Sequence, residues 1–335
     1  MENKKLKYCF GVLSLGVVFI GGIFLGKFIF NKPSLALFAE TDSTVREKGN
    51  DIWNFINPLL DCGELKNISN QSILKLKEDV NNFIEKQKNE DKVNTVAVYF
   101  RDLNNGPWFG ISEKENFYPA SLLKVPLLMS VLKQAESEPS LFGKQFVWKG
   151  GSKNNEYFKA SLELQNDRAY SVGEALTYMI KYSDNNATDF LIHAVNPESV
   201  AKSYLDLGIG LPKDQNYEIS VRTYSSFFRI LFNSTFLSKQ YSEDALNILS
   251  DTVFNQGLVS GVPSFIKVAH KFGERELSTS NQKQLHDCGI IYYPNQPYLL
   301  CVMTRGKDFD KMASVISEIS KIIYQTIDKE GGARN

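Results

Sequence analysis

The segment Phe117-Tyr118-Pro119-Ala120-Ser121-Leu122-Leu123-Lys124-Val125-Pro126 sets a serine and a lysine at the start of an apolar helical run. The apolar spacing predicts a helix over 120–136. Residues three apart share a helix face, so the hydroxyl of Ser121 and the amine of Lys124 are expected side by side. A serine hydroxyl is a poor nucleophile until a neighbour takes its proton. Lysine can take it only if burial or a second cation lowers its pKa. A serine at a helix start also lies where free main-chain N–H groups point at a developing oxyanion. Taken alone, SxxK spacing is common, and its ordinary meaning is a capping serine followed by a solvated lysine.

Two further short motifs follow in order, Ser183-Asp184-Asn185 and Lys271-Phe272-Gly273, and Lys271 is the candidate second cation. The elements around them divide the chain in three. Ile73, Leu74, Leu76, Val80, Phe83 and Ile84 recur at helical spacing, and Thr95 to Phe100 reads as a strand. Asn104-Asn105-Gly106 marks a turn, with Trp108 to Ile111 as the hairpin return. The centre is helical: Ser171 to Tyr182, opened by Ser171 and Glu174 at capping-box spacing, then Asn186 to Val195, then a helix after Arg222. Strands return at Val268 to Phe272, Cys288 to Tyr293 and Tyr298 to Met303, before a last helix with Phe309, Met312, Val315, Ile316, Ile319 and Ile323 on one face. Strands at both ends and helices between them predict an α+β fold, or α/β in looser usage. In it an antiparallel sheet is flanked by terminal helices and an all-helical lobe is inserted.

The 335-residue chain has 38 Lys+Arg and 38 Asp+Glu, so it carries no electrostatic footprint for nucleic acid. From Tyr8 to Gly26 no charged residue occurs, and Lys4, Lys5 and Lys7 precede the span. That length and flank predict an uncleaved, single-pass membrane anchor within 1–30, a stalk over 31–70 and an extracytoplasmic domain over 71–330. His193, His270 and His286 are scattered and the cysteines show no CxxC spacing, so neither a metal nor another cofactor is expected. Cys288 and Cys301 flank the turn-rich Pro294-Asn295-Gln296-Pro297 and can face each other across a hairpin. The sequence leaves their pairing open.

The segment around Ser121 resembles the active-site segment of class A β-lactamases, a family that shares this motif trio with the penicillin-binding proteins. The likeness extends to Val96-Ala97-Val98-Tyr99-Phe100-Arg101-Asp102-Leu103 upstream, and to Ser171-Val172-Gly173-Glu174-Ala175-Leu176 and Tyr182-Ser183-Asp184-Asn185-Asn186-Ala187 downstream. It implies a three-layer serine hydrolase that takes a β-lactam or peptidoglycan-type substrate. Ser121 would be acylated, Lys124 would act as base or relay, and Ser183 would pass the proton to the leaving nitrogen. Asn185 would orient the acyl side chain and Lys271 would attract the substrate carboxylate. The main-chain N–H groups of Ser121 and Glu274, the latter after Gly273, would form the oxyanion hole. Two positions depart from the family pattern. Phe272 stands where a hydroxyl residue is usual, and no ExxLN glutamate lies between the second and third motifs to activate the deacylating water. Glu218 is a candidate for that base, although Asn216 to Ser220 reads as a strand. The alternatives within the resemblance are a D,D-peptidase or transpeptidase on peptidoglycan stems, and a non-catalytic wall-binding protein.

Overall fold

A computed structural model describes residues 44–46, 53–62, 70–104, 106–151, 156–159, 161–212, 216–277 and 281–332. The expected membrane span lies outside the described residues, and no described helix is long and apolar enough to cross a membrane.

The sheet contains β1 (Thr95–Asp102), β2 (Trp108–Ile111), β3 (Val268–Leu277), β4 (Gln282–Ile291) and β5 (Tyr298–Gly306). Its order is β2-β1-β5-β4-β3, antiparallel throughout. Because β1 pairs with β5, both ends of the domain build one sheet and everything between β2 and β3 is an insertion. The helices are α1 (Asn70–Asn89), α2 (Lys124–Ser137), α3 (Val172–Lys181), α4 (Asn185–Ala194), α5 (Pro197–Asp206), α6 (Val221–Phe232), α7 (Lys239–Ser250) and α8 (Phe309–Gly332).

The period-two alternation of strand side chains divides the core. Val96, Val98 and Phe100 of β1 pack with Ile73, Leu76 and Val80 of α1 and with Met312, Ile316 and Ile319 of α8. Ala97 and Tyr99 face the inserted helices, where Leu128, Leu176, Phe228 and Leu246 belong to the second cluster. Each fully buried side chain of this size contributes roughly 1.5–3 kcal/mol, so both faces of the sheet are strongly specified.

At the start of α3 the expected capping box forms: Glu174 N donates to Ser171 Oγ at 3.1 Å and Ser171 N to Glu174 Oε2 at 2.7 Å. Helices α5 and α7 were not expected. Their apolar faces are short, with Ser203 and Tyr204 the buried residues of α5, although Asn196 and Ser238 cap them in ordinary fashion. Part of the expected stalk joins the domain. Phe55 and Ile56 enter the core, and buried Glu243 accepts the N–H groups of Asn54, Phe55 and Ile56 at 2.6, 2.9 and 3.0 Å. Cys288 and Cys301 stand directly opposite each other on β4 and β5 and form a buried disulfide.

Candidate active site

The run predicted as one helix from Ala120 divides in two, a 3₁₀ turn over Ala120–Leu123 and then α2. Ala120 enters that turn at φ +48°, in the left-handed region that costs a residue with a Cβ roughly 1–2 kcal/mol. Packing from three elements offsets the strain. Tyr224 of α6 donates its hydroxyl to Leu122 O at 2.9 Å, and Tyr118 N donates to Gln284 Oε1 of β4 at 3.1 Å. His286 Nε2 lies 3.0 Å from Tyr118 O, while Thr304 N lies 3.3 Å from His286 Nδ1. One ring nitrogen must donate and the other accept, so the imidazole is neutral. Burial enforces this by holding its pKa down at about 4.

Gly273 explains how β3 reaches the turn. A Cβ there would come within 2.8 Å of Pro119 O and 3.0 Å of Leu122 N, so only glycine lets the strand lie against Ser121's turn. Ser121 itself is half-buried.

The second and third motifs converge beside it. Ser183 adopts φ +57°, a left-handed conformation at the entrance to α4. Asp184 caps that helix through Asn186 N at 2.9 Å, and its other oxygen accepts from Leu164 N at 2.8 Å. Ser183 Oγ then lies between two buried ammonium groups, 3.2 Å from Lys124 Nζ and 2.8 Å from Lys271 Nζ. Lys124 also donates to Ser183 O and, at 2.8 Å, to Asn185 Oδ1. Its donors therefore point at the second motif, and the direct Ser121–Lys124 hydrogen bond expected from helical spacing is absent among the described residues.

Burial lowers the Lys124 pKa to about 8, against the opposing pull of Glu156 and Asp184. Lys271 is fully buried and pushed well below the ordinary lysine value, first by desolvation and then by the Lys124 charge. A buried lysine with a lowered pKa is what proton abstraction from a serine requires.

Two carboxylates complete the cluster, and sequence reasoning missed the role of both side chains. Asn185 Nδ2 donates to Glu156 Oε1, while Glu156 Oε2 is buried without a partner among the described residues. Burial raises the Glu156 pKa, with the lysine charges opposing it. The side chain of Glu274 turns to the same segment and accepts the N–H groups of Tyr157 and Phe158. Desolvation holds its pKa up at about 7. Phe158 packs edge-on against Phe254 and Phe272, and those two rings stack with centroids 4.1 Å apart. Phe272 thus serves an aromatic wall, and beside Tyr182 that wall opens into a pocket of about 420 Å³. Glu218 stands apart. It is exposed just before Ile219–Ser220, which pairs with Asn116–Phe117, so the strand expected there forms.

The model of the beta-lactamase enzyme family matches residues 75–327. The chain belongs to this family. Among solved structures it is similar to a class A beta-lactamase from Bacteroides cellulosilyticus, at 21% identity and a TM-score of 0.64, over 77% of this chain and 99% of that one. It is equally similar to a variant of PBP-A solved as an acyl-enzyme with penicillin G, at 21% identity and a TM-score of 0.63, over 77% of this chain and 97% of that one. A class A beta-lactamase from Mycobacterium abscessus matches at 18% identity and a TM-score of 0.62, over 74% and 98%. No curated protein matches. The three-layer fold and the serine hydrolase assignment therefore rest on the family match and on the shared architecture.

Proposed function

We propose that β-lactams acylate this beta-lactamase-family protein at Ser121 and that the resulting ester is hydrolysed slowly. The observation that carries the reading is the Lys124–Ser183–Lys271 chain of hydrogen bonds around one hydroxyl. With a pKa of about 8, Lys124 is neutral in about a tenth of molecules at pH 7. Neutral lysine keeps two N–H donors and frees a lone pair, which takes the Ser121 proton as Oγ bonds to the lactam carbonyl carbon. The main-chain N–H groups of Ser121 and Glu274 receive the oxyanion, favoured by the close approach at Gly273. When the C–N bond breaks, Ser183 Oγ gives its proton to the leaving nitrogen and is reprotonated by its lysine neighbours. Asn185 holds the acyl side chain once its amide is released from Glu156, and Lys271 attracts the substrate's anionic group.

Deacylation needs a second base to take a proton from water as it attacks the ester carbonyl. The pattern residue for that task is missing, and Glu218 is exposed and outside the lysine cluster. Mixing protein with excess penicillin G and following intact mass is expected to show a long-lived adduct on Ser121. Rapid turnover with no adduct would overturn slow deacylation, and neither adduct nor turnover would overturn the reading and favour a non-catalytic wall-binding role. A D,D-peptidase or transpeptidase on peptidoglycan stems is the second reading, favoured by Phe272 and the aromatic pocket beside Tyr182. A stem pentapeptide losing its terminal residue faster than penicillin is hydrolysed would select it.

We further propose that the Tyr8 to Gly26 span tethers the domain outside the cytoplasm, on the strength of its length and its Lys4, Lys5 and Lys7 flank. A mature N-terminus beyond residue 34 would refute the tether.

A further inference from the structure

We infer that the β1–β2 edge of the sheet, opposite the β3 edge that carries Lys271, holds a binding site for a phosphate group borne on a sugar. Register and helical spacing build it independently. On the sheet, Arg101 of β1 stands opposite Trp108 of β2 and Leu299 of β5. On α6, Arg222, Ser225 and Arg229 follow one another at intervals of three and four, so they share the face turned to that edge. Together they line a pocket of about 150 Å³. This is below the roughly 300 Å³ or more of a site for a drug-sized molecule, and it suits a compact anion.

Charge makes the pocket unusual. Three guanidinium groups share it, no carboxylate lines it, and none of the three pairs with an acid among the described residues. Glu113 accepts from Arg222 only through its main-chain carbonyl, and its side chain lies over Gly110. By contrast Arg305 on β5, in the same sheet, meets Glu115 at 2.9 Å and Asn116 O at 2.6 Å. In a chain with equal numbers of acids and bases, three cations in one recess with no carboxylate among them repel each other until an anion enters. Planar guanidinium forks match the oxygens of phosphate in paired hydrogen bonds, and a phosphate carries enough charge to answer several of them.

The sugar follows from Trp108. The residue is 41% exposed, with Tyr99 stacked on its ring at 5.6 Å and 22° and the Arg222 guanidinium over the ring, 5.2 Å from its centroid. The part of the indole that these two contacts leave exposed lies beside the anion pocket, where it can meet the C–H groups of a pyranose attached to the phosphate.

The test titrates the full-length chain with inorganic phosphate and with glucose 1-phosphate at constant ionic strength in sodium chloride, read by tryptophan fluorescence and by calorimetry. Saturable binding of both is expected, with the sugar phosphate about fivefold or more tighter. Arg101→Gln and Arg229→Gln should each weaken binding about tenfold or more, and Arg229→Lys, which keeps charge but loses the fork, should weaken it less. Melting curves report whether each variant folds. If Arg229→Gln fails to fold, Arg101→Gln and Arg229→Lys carry the test. No saturation beyond the effect of chloride, or affinity unchanged in the glutamine variants, overturns the site. Equal affinity for the two probes overturns the sugar. Penicillin labelling at Ser121 should be unchanged in all three variants, because this pocket lies at the opposite edge of the sheet.

Discussion

The turn that carries Ser121 and the segment Glu156 to Phe158 both border the lysine cluster, yet they are held by different means. The turn is fixed by buried groups from α6 and β4 and by a glycine contact with β3 that tolerates no added atom. The segment is held by two side chains, Asn185 and Glu274, which lie 29 and 117 residues away in sequence, and by aromatic contacts. One region is a main-chain device with a backbone reason for almost every residue. The other is a side-chain clasp, closed by the Asn185 amide, the Glu274 carboxylate and aromatic rings. The difference suggests that the turn sets whether acylation occurs and the clasp sets how readily a substrate enters.

The most severe way to break that contrast is to remove the turn's chemistry. Ser121→Ala should abolish covalent labelling by fluorescent penicillin while the melting temperature stays within a few degrees, since a half-buried hydroxyl contributes little packing. Labelling at the parental rate would remove Ser121 from the mechanism. Lys124→Ala and Lys271→Ala should each slow acylation by about 10²–10⁴, the range associated with losing a positioned acid or base. Equal acylation in either variant would sink its assignment.

A smaller effect, of opposite sign, is expected at the clasp. Glu156 raises the pKa of Lys124 by its charge, so Glu156→Gln lets that pKa fall below about 8. In the parent protein the acylation rate should rise about tenfold per pH unit below pH 8 and level off above it, because the neutral amine is the active form. The Glu156→Gln profile should have the same shape with its midpoint displaced to lower pH, and acylation at pH 7 should be about threefold to tenfold faster. A midpoint that stays in place would show that Lys124 does not feel Glu156, and a slower rate would make Glu156 a participant instead of a brake.

These outcomes bear on what could be read from residues alone. The strands, four of the inserted helices and the three motifs were legible because each rests on local spacing or composition: Ser171 with Glu174, Ser121 with Lys124, the β-branched and aromatic run of β1. The break at Leu123 was not legible, because the left-handed Ala120 depends on contacts from Tyr224 and β4. Helices α5 and α7 were missed because their apolar stripes are too short to register, even though Asn196-Pro197 is a start signal. Glu274 was expected to act through its main chain, and nothing in Lys271-Phe272-Gly273-Glu274 says that its carboxylate reaches Tyr157. Phe272 was legible as a departure from the family pattern, but its aromatic partners Phe254 and Phe158 come from two distant loops.

The mildest test concerns Glu274, whose carboxylate is held at a pKa of about 7 because burial outweighs the two N–H groups it accepts. In the unfolded chain the same group titrates at 4.5. Below that value both states are protonated and the group does not affect stability. Between about 4.5 and about 7 the folded protein holds a proton that the unfolded chain has released, so stability falls as pH rises through this window and remains lower above it. Glu274→Gln keeps a carbonyl oxygen for Tyr157 and Phe158 and removes the buried charge. Because the side chain is only partly buried, the gain should be small: a melting temperature about 2–4 °C higher at pH 8 and unchanged at pH 4. A variant that melts lower at pH 8 would mean that the ionised form holds the clasp more firmly than burial opposes it. In that case the clasp would be a fixed wall of the cleft, and its contrast with the Ser121 turn would disappear.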